Sequence, residues 1–135
     1  SRAMSSRKGA RMLPLQNASM PNGMRWHYRL RAGGFSNAWF SASGASASQE
    51  GTLSIPGARI QTDQAQRTIS FLLAPGAFGA GITPDHLSAY VTTWDFDADY
   101  RALQPQAGPY QFGGANANAP KVMDDLLISS GGVGE

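Results

Sequence analysis

The chain has 135 residues, a formal net charge of +2, 16 glycines, 8 prolines and no cysteine. That length supports one domain with a modest core, and the missing cysteine removes disulfide frameworks, thiolate metal sites and cysteine nucleophiles. No run approaches the ~20 apolar residues of a membrane span, and residues 1–6 lack the apolar core of a signal peptide, so no membrane insertion is expected.

Residues 1–11 read as a flexible basic lead-in. Met12, Leu13, Pro14 and Leu15 form a short apolar entry, an edge piece because of Pro14. Residues 17–23 are loop, with Pro21, Asn22 and Gly23 as a strong turn signal. Over 24–31, Trp26, Tyr28 and Leu30 alternate with Arg25, His27, Arg29 and Arg31, which predicts a strand with its first set inward and its second set in solvent. Gly33 and Gly34 turn the chain into a second strand over 35–43, and the two form a hairpin. A small, polar, low-complexity loop follows over 44–52. Residues 53–62 predict a weak strand interrupted at Pro56 and Gly57. Residues 67–73 predict a better one, joined to it as a hairpin through Asp63 to Gln66. Residues 74–81 are Gly- and Pro-rich, with Phe78 as an anchor. Thr83, Pro84, Asp85 and His86 resemble a helix start.

The stretch over 87–103 organises the chain. β-Branched and aromatic residues at 90–94 favour an extended backbone. Leu87, Ala89 and Val91 share one face; Tyr90 and Trp94 share the other. Asp95, Asp97 and Asp99 then alternate with Phe96 and Ala98, and on a strand they would share one face. Residues 104–120 form a long loop packed by Tyr110 and Phe112. Residues 122–128 are the last strand, and 130–135 a flexible tail. Six short strands without an amphipathic helix give an all-β fold, an antiparallel β-sandwich over residues 12–129.

Charge is unevenly placed. Residues 1–49 hold no acid, seven of the eleven basic residues fall within 1–31, and from Glu50 onward nine acids face four bases. A basic front can signal nucleic acid. Arg25, Arg29 and Arg31 alternate along one strand, however, and read as a solvated face, so no nucleic-acid partner is expected. The basic front could also lie against the acidic back of the same fold.

Several runs occur in one order: Arg7-Lys8-Gly9-Ala10-Arg11, Leu13-Pro14-Leu15-Gln16-Asn17-Ala18, Trp26-His27-Tyr28, Tyr90-Val91-Thr92-Thr93-Trp94-Asp95, Phe112-Gly113-Gly114 and Pro120-Lys121-Val122-Met123-Asp124. In these the chain resembles, over about 7–128, the C-terminal binding module of glucodextranase and related amylase- or pullulanase-type enzymes. That module is a β-sandwich similar to DOMON domains, jelly-roll-like, and to family 9 carbohydrate-binding modules. The resemblance implies a secreted or cell-surface accessory domain that binds polysaccharide or cell wall, with calcium in some members. Family modules carry further strands ahead of the point where this chain begins. The sandwich is therefore expected to be incomplete by itself: a fragment, or one completed by a strand-donating protein partner or a homo-oligomer.

A pyranose has an apolar C–H face that a flat aromatic covers. Trp26 reads as core. Trp39 is divided between core and surface because Phe40 competes with it. Trp94, at a strand end beside acids, is the leading carbohydrate-binding candidate, with core packing as its rival; Tyr110 is a weaker companion. Asp95, Asp97 and Asp99 could ligate Ca²⁺, but no glycine or glutamate completes an EF-hand loop. A solvated rim or a pair with Arg101 is the stronger reading. DOMON-like domains can hold haem through His or Met, which His27 with Met24 or Met123 would permit; haem is not favoured. No serine motif or metal-type histidine pair accompanies His27 or His86, and no carboxylate is marked as a glycosidase acid. The expectation is a non-catalytic carbohydrate-binding module, with a structural or assembly module as the alternative.

Overall fold

Alternation and turn chemistry place most of the strands in this computed structural model, which describes residues 9–34 and 36–129. Phe35, the basic residues up to Lys8 and the tail at 130–135 lie outside the described residues. The fold is all-β, built from antiparallel sheets in a sandwich-like arrangement, none closed into a barrel. A single 3₁₀ turn among the described residues, Pro84–His86, stands where a helix start is expected. Among the described residues, no helix is long and apolar enough to cross a membrane.

The first pair is small. β1 (Met12–Leu13) and β2 (Ala18–Ser19) join through a turn in which Leu15 and Asn17 take positive φ. The Gln16 backbone accepts the Lys121 N–H at 2.7 Å, which ties this turn to the chain just ahead of the last strand. Residues 9–11 belong to the fold as well. Ala10 and Trp26 exchange two backbone hydrogen bonds of 2.9 Å. Trp26 then points inward with Leu13 and Met20, and Met24, Tyr90 and Val122 pack on that cluster.

The largest sheet has three strands in the order β3 (Tyr28–Gly33), β4 (Ser36–Ser41), β5 (Thr52–Pro56). The turn at Gly33 and Gly34 sets the register, with Tyr28 opposite Ser41 and Leu30 opposite Trp39. β4 lies between two neighbours, and a register shift falls between Trp39 and Phe40. Consecutive side chains there point to opposite faces, yet both are buried. The reason is that each face has its own cover. Trp39 stacks on Tyr28, with ring centroids 5.5 Å apart, and meets Phe78 edge-on. Phe40 lies under the guanidinium groups of Arg29 and Arg31, 4.9 and 5.4 Å from its ring centre. Arg29 and Arg31 are thus not a solvated face. Both reach Glu50, which comes from the loop ahead of β5.

Residues 53–62 do not form one weak strand. The chain breaks at Gly57, and the second part becomes β6 (Arg59–Asp63), which pairs with β7 (Thr68–Leu72) in a sheet of its own. The Asp63 carboxylate accepts the Gln66 N–H and closes that hairpin. Gly57 packs so closely on Asn37 that a Cβ would overlap it, so the turn needs a glycine. The last sheet pairs β8 (Ala89–Thr93) with β9 (Asp124–Ile128), placing Thr92 opposite Asp125. β8 alternates between exposed and half-buried residues, and every residue of β9 is exposed.

Candidate functional site

Tyr90, Thr92 and Trp94 project from one side of β8 and its end, as the period-2 geometry of a strand requires. They face a groove of about 630 Å³ whose opposite wall is β3 and the residues just before it. Trp26, Tyr28, Leu30, Trp39, Tyr90 and Trp94 supply its aromatic and apolar lining, and Phe71, Leu73 and Phe78 close one side. Arg25, His27, Arg29, His86, Ser88 and Thr92 add polar groups to the same groove.

Trp94 is half-buried. It packs against Tyr100 with ring centroids 5.4 Å apart. Phe96 meets the other side of Tyr100 edge-on. Tyr100 is buried and its hydroxyl accepts Arg29 Nη1 at 3.2 Å. Burial raises the Tyr100 pKa, and the Arg29 charge opposes that rise only in part. Trp94 is therefore backed by a ring that is itself pinned from β3. On the same face of β8, the Tyr90 hydroxyl donates to Asp125 Oδ2 at 2.8 Å. Partial burial, then the hydrogen bond to that carboxylate and its charge, raise the Tyr90 pKa.

The other two aromatic candidates lie elsewhere. Trp39 lines the groove wall but is only 4 % exposed, because Tyr28 and Phe78 cover it and its indole N–H donates to the Ala77 carbonyl. Tyr110 is 84 % exposed on the loop after Tyr100 and does not line the groove. The structure thus brings Trp94 together with Tyr28 and Tyr90, which composition did not single out. One sequence signal pointed to Tyr90: it shares its strand face with Trp94. His27 and His86 both line the groove, from segments 59 residues apart. No local pattern signals that.

The three aspartates do not lie along a strand. β8 ends at Thr93, and residues 95–101 fold back, with the Arg101 N–H on the Asp95 carbonyl at 2.9 Å and Ala98 at a positive φ of 61°. This loop turns the carboxylates toward Arg101 and not onto one face. Arg101 Nη2 lies 2.7 Å from Asp97, and its Nε lies 3.5 Å from Asp95 Oδ2, which is buried and makes no hydrogen bond. Asp99 Oδ1 accepts the Tyr100 N–H. Ca²⁺ takes six to eight oxygen ligands, drawn from carboxylates, carbonyls and waters that converge on one point. A set already claimed by a guanidinium and a backbone N–H does not fit it. Among the described residues, no group of three or more His, Asp or Glu side chains is placed to share a cation.

Comparison with known families supplies the remaining observation: the model for the C-terminal, SLH-like binding module of glucodextranase matches residues 3–132. The chain belongs to that family. No curated protein and no solved structure matches it. The family is a binding module and not a catalytic domain, so the groove of this module is read as a place where a ligand is held.

Proposed function

We propose that the module binds carbohydrate in the groove between β3 and β8, outside the cell, as a non-catalytic accessory to polysaccharide recognition. The observation that carries the reading is Trp94. It is a half-buried indole on a groove that also holds Tyr28 and Tyr90 and polar groups from Ser88 and Thr92. A sugar ring laid on Trp94 covers its apolar C–H face, and hydroxyl and guanidinium groups around it meet the sugar hydroxyls. Membership in a binding-module family named for a glucan-directed enzyme supports the same reading. Affinity from one such site is weak, and attachment to an enzyme or a second module raises it through effective concentration.

The test is an array of neutral and acidic polysaccharides probed with the folded chain and with Trp94→Ala and Trp94→Leu. Retention on at least one polysaccharide, lost in both variants while their circular dichroism matches wild type, is the expected result. Retention unchanged in folded variants removes Trp94 from the site.

A second reading rests on a separate observation. Leu53, Ile69, Leu126, Leu127 and Ile128 are exposed, and β9 is paired on one side only among the described residues. Exposed aliphatic strand edges invite pairing with another strand. In this reading the sandwich is completed by strands from a partner protein or a second copy. A strictly monomeric 14.3 kDa species in sedimentation at the highest soluble concentration would rule out the second copy.

A further inference from the structure

Resting on the carbohydrate reading above, we propose that the ligand is an acidic saccharide, a chain of uronic acid residues or another carboxylate-bearing pyranoside. The evidence is what lines the groove and what does not. The ionisable basic side chains on it are Arg25, His27, Arg29 and His86, and no aspartate or glutamate is among its lining residues. The chain has nine acids, so they are not scarce.

Three acids contact groove residues from outside the lining. Glu50 is shared between Arg29 and Arg31, so one carboxylate serves two guanidinium groups and a positive charge remains. Asp125 holds the Tyr90 hydroxyl. Asp85 lies 3.7 Å from His86 on an exposed turn, off the lining. Arg25 is exposed, its Nη1 on the Gly9 carbonyl at 3.2 Å, and a guanidinium keeps further donors beyond that one bond.

Hydrogen-bond chemistry points the same way. A sugar hydroxyl both donates and accepts, so a neutral sugar is served by donors and acceptors together. Here the one side-chain amide on the lining, Gln16, is buried and its amide N–H donates to the Lys121 carbonyl. The donor-only groups on the groove are the guanidinium groups of Arg25 and Arg29. A carboxylate is acceptor-only, and a guanidinium meets it with two parallel bonds. Apolar walls beneath a fixed positive charge strengthen that attraction relative to open water.

The experiment uses the full chain and a set of oligouronides of several linkages, each paired with its own carboxyl-reduced, neutral form. Binding is read by titration calorimetry. The proposal expects at least one acid form to bind about tenfold or more tightly than its reduced partner, the difference corresponding to one charge-assisted contact. It expects Arg25→Gln, at an exposed groove residue, to weaken the acid form by a larger factor than the reduced form and so to remove most of that preference. Added salt should weaken only the acid form. Equal or tighter binding of the reduced forms overturns the proposal and leaves the carbohydrate reading standing. Equal binding of polyaspartate also overturns it, because that is ion exchange without sugar recognition. Failure of every acid form and every reduced form to bind removes the carbohydrate reading, and this proposal with it.

Discussion

Replacing Glu50 by glutamine tests whether the charged face of the three-stranded sheet is an interior or a surface. Glu50 Oε1 lies 3.4 Å from Arg29 Nη2 and closer still to Arg31 Nη1; the three side chains are 20 %, 12 % and 22 % exposed. At 3.4 Å, Coulomb attraction in an effective dielectric of about 20 amounts to about 5 kcal/mol. Desolvation of the ions offsets much of it. Glutamine keeps an acceptor oxygen, so the loss is the charge, and two guanidinium groups are left stacked on Phe40 with no anion between them. A loss of about 2–4 kcal/mol follows, between the values for a charge-assisted hydrogen bond and a broken buried pair. Domains of this size hold about 5–15 kcal/mol in total. Urea denaturation of both proteins at low salt measures the difference. A change below about 0.5 kcal/mol would show a solvent-screened surface pair and refute the burial argument.

Gly51 has a φ of 99°, and a Cβ there would fall against the Ser41 carbonyl oxygen. Gly51→Ala should therefore lose at least about 1 kcal/mol and several degrees of melting temperature, and an unchanged melting curve would contradict the backbone path into β5. Addition of EDTA should leave the melting temperature unchanged, because Arg101 already holds Asp95 and Asp97; a drop would reveal a cation that competes with it. Burial first, and then Asp125, raise the Tyr90 pKa, and burial raises that of Tyr100. A raised phenol pKa means that the folded state keeps its proton after the unfolded chain has lost it. That contribution to stability is full below about pH 10 and is lost as pH rises through the raised values. Asp125→Asn should bring the Tyr90 transition down toward the ordinary phenol value in an ultraviolet titration. No change would mean that the hydrogen bond does not form.

Much of the strand pattern was legible because it depends on local chemistry. The hairpin through Gly33 and Gly34 and the one through Asp63 to Gln66 each combine alternation with a turn that fits. β9 was legible as a run of aliphatics, though not its partner. The break at Gly57 was visible as a Pro-Gly interruption. That it sends the two halves into different sheets depends on Asn37, which a linear reading cannot place. Arg29 and Arg31 show the limit most clearly. Their alternation is identical whether they meet water or a carboxylate, and Glu50 sits in a small polar loop with nothing to mark it. Trp39 and Phe40 were competitors for one core only while the sheet had one covered face. The groove was half legible: Trp94 and Tyr90 share a strand face, but β3 across from them comes from 60 residues earlier.

The most direct measurement of the central claim follows the three indole N–H resonances while a binding oligosaccharide is added. Trp26 and Trp39 donate to the Met12 and Ala77 carbonyls inside the protein. All three line the groove, but Trp26 and Trp39 are buried and only Trp94 is half-exposed to it. A shift of the Trp94 resonance that saturates with ligand, with the other two nearly still, is the predicted result. Saturable binding that leaves Trp94 unmoved would contradict the assignment of the groove as the sugar site.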